Sequence, residues 1–136
     1  MSKETGLGIT TLSVDDSGGT ARAIINDISD FNVSTPRPDQ DVTGIDKSAM
    51  ERLLLLADYQ ITLNGVFNDA ASVSAHAVFS TVPSTSVART VTLVVSGQSL
   101  PAEMLFTDYN LTRATDGSLT WTTSGLLSDG TVPTWA

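Results

Sequence analysis

The chain has 136 residues and a mass of 14.3 kDa, the size of one domain. Its net charge is −8, and its seven basic residues form no patch, which argues against binding that relies on displacing counterions from nucleic acid. It has no cysteine and one histidine, His76, which excludes disulfides and thiolate chemistry and leaves no acid, base and nucleophile in one place.

Charged residues make up only 16% of the chain, and 16 serines and 19 threonines take their place. Hydroxyls cost less to desolvate than ammonium or carboxylate groups, so such a surface suits flat contact with other proteins. The start, Met1-Ser2-Lys3-Glu4, has no apolar run of signal-peptide length. The longest aliphatic stretch, Leu53 to Ala57, is too short to span a membrane.

In chain order, residues 8–15 read as a strand with Ile9, Leu12 and Val14 apolar. Asp16-Ser17-Gly18-Gly19 is a turn, and residues 20–25 return as a hairpin partner. A further strand, 28–34, carries Phe31 and Val33 on one face. Residues 35–45 form a long Pro- and Asp-rich loop, because two prolines and a glycine deny it helix and central-strand roles. A short helix is expected from Ile45, with Ser48 and Glu51 at capping-box spacing and Asp46 as a rival cap.

Residues 59–64 alternate cleanly, as a half-buried strand does. Asn64-Gly65 reads either as a tight turn or as a point the strand passes through. Residues 69–79 read as a helix capped by Asn68 or Asp69, and residues 83–86 as a linker. Residues 89–95 are the strongest strand, and Ser96-Gly97-Gln98 turns it. A strand over 100–111 follows, with Pro101 at its start or on an edge. Thr115-Asp116-Gly117-Ser118 is a hairpin turn, residues 119–123 run back, and the closing segment ends on an aromatic anchor, Trp135. This makes about seven strands and one or two short helices without βαβ alternation. The fold class is mainly β: an antiparallel sandwich or barrel with a flanking helix, in one domain over residues 1–136.

Candidate chemistry is thin. Asp39-x-Asp41-x-Thr43-Gly44 mimics the opening of a calcium loop, but its twelfth position is Met50 rather than a bidentate Glu. Asp15, Asp16, Asp27 and Asp30 crowd one region without histidine or metal-ligand spacing, and read as solvated turn carboxylates. His76 reads as a packed or surface histidine. Trp121 and Tyr59 sit in strand patterns that favour core packing over sugar stacking. No cofactor, metal site or catalytic residue is expected, so the chain does not read as an enzyme.

Several stretches in this order carry a family likeness. They are Asp41-Val42-Thr43-Gly44-Ile45-Asp46 leading into Ser48 to Leu53, then Asp58 to Phe67, then Ser74 to Phe79 before Pro83-Ser84-Thr85-Ser86. Last come Phe106-Thr107-Asp108-Tyr109, Leu119-Thr120-Trp121 and Asp129 to Trp135. From about Asp41 to Ala136 the chain resembles the major tail tube proteins of long-tailed bacteriophages, especially those of actinobacterial hosts. The resemblance implies a β-sandwich whose copies form hexameric rings, stacked into a hollow tube that carries double-stranded DNA into the host. It also implies a place in the phage tail of the virion, after assembly in the host cytoplasm. The implied partners are a tape measure protein, a tail terminator and tail tip proteins. On this reading Pro36, Arg37, Pro38, Asp39, Asp41 and Val42 are candidates for contact between subunits or rings. Asp27 and Asp30 are candidates for an acidic lumen wall that repels DNA. The rivals are a capsid decoration protein and a carbohydrate- or receptor-binding β-sandwich.

Overall fold

The computed structural model describes residues 3–136. Its alternating segments pair as two four-stranded antiparallel layers. The first layer runs in the order β2 (Ala21–Ala23), β1 (Thr11–Asp15), β7 (Arg89–Val95), β8 (Gln98–Phe106). The second runs β3 (Ile28–Ser34), β6 (Gln60–Val66), β10 (Leu119–Leu127), β9 (Asn110–Arg113). They join at one corner, where Gly125 to Leu127 of β10 pair with Met104 to Phe106 of β8. Gly125 is the pivot: a Cβ there would lie 3.0 Å from the Phe106 ring and 3.1 Å from Ile61.

Period-two alternation points one side of each strand inward. Leu12, Val14, Val91, Leu93, Leu100 and Met104 of the first layer join Ile61, Leu63 and Trp121 of the second in one buried cluster. The layers therefore face each other as a sandwich. The helix α1 (Ala75–Phe79) closes the cluster, with the Phe79 ring 4.9 Å from Phe106 and 5.7 Å from Trp121.

Mainly antiparallel β structure with a short helix agrees with the sequence pattern. So do the bounds of β3 and β7 and the turns at Asp16–Gly19, Ser96–Gly97 and Thr115–Ser118. The differences are instructive. Ten strands form among the described residues rather than about seven: the 100–111 segment breaks into β8 and β9 where the chain crosses between layers, and two more strands arise in the segment expected to be a loop and a helix. The Asp108 carboxylate accepts the Ser124 N–H (2.9 Å) at that crossing. The helix expected from residue 69 begins only at Ala75. Asn68 instead holds a turn by accepting the Ala70 N–H, and Ser74 caps the helix by accepting the Ala77 N–H (3.0 Å).

The helix expected from Ile45 does not form. The Thr43 hydroxyl accepts the Glu51 N–H (2.8 Å) and the Glu51 carbonyl accepts the Val42 N–H (2.9 Å), so the segment closes as a hairpin. Its strands are β4 (Asp39–Asp41) and β5 (Arg52–Leu54). Asn64-Gly65 is no turn. β6 passes straight through it, and Gly65 is required because a Cβ would meet the Asp27 carbonyl at 1.8 Å and Trp121 at 2.9 Å.

Candidate assembly surfaces

Two surfaces stand out, an arm and a pair of sheet edges. The arm begins where β3 ends. Pro36 and Pro38 supply no N–H, but their carbonyls accept from Asp58 (3.0 Å) and Leu55 (2.8 Å) on the returning strand. Arg37 donates through Nε (3.0 Å) and Nη2 (2.9 Å) to the Leu55 carbonyl, clamping the base. Asp39 pairs diagonally across the ladder with Arg52 at 3.5 Å. Asp41 accepts from the Thr43 N–H (2.9 Å) and hydroxyl (2.6 Å), which hold its carboxyl below the usual range. Five of the six candidate contact residues thus build the arm from within, and Val42 joins its neck through its N–H.

In the sequence, the prolines and aspartates mark only one side of this arm. The returning side carries Leu53, Leu54, Leu55 and Leu56, every one exposed, with Leu56 at 86%. Ile45 and Met50 are exposed at the tip. Every residue from Ser34 to Leu56 is exposed except Thr43, which is half-buried. The signal was present as the longest aliphatic run, but the run does not alternate, so periodicity did not mark it as a strand. An apolar surface of this kind without cover is the mark of a contact with another molecule. The arm is also close to neutral: Arg37, Lys47 and Arg52 against Asp39, Asp41, Asp46 and Glu51 give −1, leaving −7 of the total −8 on the remainder.

The edges differ between layers. The first layer's β8 edge is covered by the chain's own last residues: Ser128 donates to the Glu103 carbonyl, and Ala136 exchanges two backbone bonds with Ser99 (2.8 and 2.9 Å). Pro101 lies on that same edge by alternation, where its missing N–H costs no ladder bond. In the second layer, β3 pairs only β6 and β9 pairs only β10 among the described residues. Both of its edges are open, whereas in the first layer only the three-residue β2 edge is, and open edges are templates for another strand.

The two acidic wall candidates separate. Asp30 is exposed on β3, where the Asn64 side-chain amide donates to it at 2.6 Å. Asp27 is turned inward, 6% exposed, and its carboxylate accepts the Ala75 N–H (2.7 Å) and the Asn68 side-chain amide (2.9 Å). It holds the start of α1 against β3, so its carboxylate is not on the subunit's surface. The other grouped acids also diverge. Asp16 accepts the Thr20 and Gly18 N–H groups and pairs with Arg22, and these contacts depress its pKa, the Thr20 bond most. His76 is packed, its Nδ1 3.1 Å from the Tyr109 hydroxyl and its ring 4.9 Å from Phe67. Arg89 is buried and donates to the Asp15 carbonyl and the Thr81 hydroxyl, and burial pulls its pKa down.

No family model matches the chain, and no curated protein sequence matches it. Solved structures do. A chain in the tail of an empty gene transfer agent particle, refined helically with C6 symmetry, aligns with a TM-score of 0.73 at 16% identity, over 98% of each chain. A chain in the virion of a native gene transfer agent particle aligns with a TM-score of 0.74 at 14% identity, over 98% of this chain and 99% of that one. At these identities the likeness is one of fold.

Proposed function

We propose that this chain is a structural, non-catalytic subunit of a phage-type tail tube. Six copies form a ring, and rings stack into a hollow tube that passes double-stranded DNA. The observation that carries the reading is the second layer, whose β3 and β9 edges are both open while the first layer shields its β8 edge. Pairing β3 of one copy with β9 of the next is a head-to-tail contact, and such a contact closes into a ring when its rotation divides the circle. Four strands from each of six subunits make a barrel of about 24 strands, well beyond the size that side chains fill. The fold's likeness to a chain in a C6-symmetric tail supports six as the number.

The arm supplies a second contact, along the tube axis. A two-stranded hairpin with exposed leucines on its returning strand gains little by standing alone and buries those leucines on a neighbouring copy. In the particle the subunit meets a tape measure protein inside the tube, a terminator at one end and tip proteins at the other.

Negative-stain electron microscopy of the purified protein, dilute and then concentrated, tests this. Six-fold rings or hollow tubes are the expected result. Compact trimers point to a shell decoration protein, and a monomer at all concentrations, even with tail tip proteins added as initiator, overturns the tube.

A further inference from the structure

The open-edged layer has a face turned away from the core, and its composition is unusual. Register places Asp30, Asn64, Thr122 and Asn110 in one row across β3, β6, β10 and β9. Asn32, Thr62 and Ser124 make the next row, and Val66, Thr120 and Thr112 flank the first on its other side. Within the paired strands Asp30 is the only ionisable side chain of this face. Arg113 belongs to the opposite alternation, opposite Leu119. Two further carboxylates border the strands: Asp58, before β6, accepts the Gln60 side-chain amide, and Asp108, before β9, has its two oxygens tied to the Ser124 N–H and the Asn110 amide. The outward face of the other layer carries Asp15, and Glu103 bonded to Thr90.

We infer that this hydroxyl- and amide-covered face is the surface a passing polyanion meets, with Asp30, steadied by Asn64, as the single carboxylate within its paired strands. The inference rests on the tube reading and adds the chemistry of its wall. A barrel closed through β3 and β9 has the first layer either outside it or inside it. Inside, that layer fills the channel; outside, the Thr–Asn face lines it. Transit then depends on a wall that offers a polyphosphate no cation and few charges of any kind, rather than on the acidity of the whole subunit. Most of the −8 lies elsewhere.

The absence of cysteine makes the test direct. Thr122→Cys and Ser13→Cys tubes are treated with a small maleimide-gold cluster and imaged. Gold along the axis for Thr122→Cys and on the outside for Ser13→Cys is expected, with Thr62→Cys as the replacement should Thr122→Cys not assemble. Gold outside, or no label, at both Thr122 and Thr62 overturns the assignment while leaving the tube itself intact. Wild-type protein that never assembles removes the tube reading instead. The charge is read separately, by retention of short double-stranded DNA on tubes. Asp30→Asn should leave retention at the wild-type baseline. Thr122→Lys should raise it by about tenfold in low salt and lose the gain as salt rises. No gain with Thr122→Lys, or a gain with Asp30→Asn alone, overturns the neutral wall.

Discussion

Tyr59 is the residue most at odds with its surroundings. It is fully buried, and its hydroxyl finds no hydrogen-bond partner among the described residues, so the side chain pays the desolvation of a polar group for nothing in return. Tyr59→Phe should therefore leave stability unchanged or raise it by about 1 kcal/mol, as measured by urea denaturation. Burial also pushes its pKa up to about 12 from 10. A folded-state pKa above the unfolded value means the native state holds its proton longer, so stability falls as pH rises from 10 through about 12. That part of the alkaline decline should vanish in Tyr59→Phe. Gly65→Ala should act in the opposite sense. Its Cβ runs into the Asp27 backbone, which cannot give way without moving β3, so a loss of about 3 kcal/mol is expected in the same assay.

Among the elements, the arm is where folding and the proposed assembly can be separated. It contributes no residue to the buried cluster. Leu53→Asp with Leu55→Asp should shift the melting temperature by only a few degrees, since exposed substitutions typically change stability by about 0.5 kcal/mol or less. Sedimentation should nevertheless show that the same variant no longer polymerises. Deleting Asp39–Thr43 removes β4 and the Thr43 bonds at the neck, and should likewise leave a folded monomer. Amide exchange in the free subunit should be fast over residues 38–56 and slow in β6 and β7, with the arm gaining protection on assembly. Tubes of normal length from either variant would refute the arm as a contact.

At the scale of the whole molecule, charge and apolar surface pull in opposite directions. Each subunit brings −8, so in the proposed ring neighbouring copies repel one another, while burying the arm's leucines and pairing the open edges would favour association. Salt screens the first and spares the second. The concentration needed for polymerisation should therefore fall as ionic strength rises from about 0.01 to 0.15 M, where the screening length shrinks from about 30 to 8 Å. Pelleting across a salt series measures it, and the sign is opposite to that of a nucleic-acid binder, which loosens in salt.

What the sequence determined by itself is what lies within a few residues along the chain. The alternation in β3 and β7 and the glycine turns require no distant partner, and they appear in the fold where the pattern puts them. The core roles of Tyr59 and Trp121 follow from the same alternation. The arm was half legible, because its prolines mark a loop locally while its second side is recognisable only once β4 meets β5. The rest belonged to tertiary structure. Ser48 and Glu51 have capping-box spacing, but that local preference lost to the hairpin bonds between Thr43 and Glu51. Asp27 and Asp30 look alike three residues apart, yet one caps a helix 48 residues away and the other faces solvent. Whether the β8 edge is covered depends on where the chain's last residues lie against Ser99 and Glu103. Contacts between residues far apart in sequence decide these outcomes, and no periodicity records them.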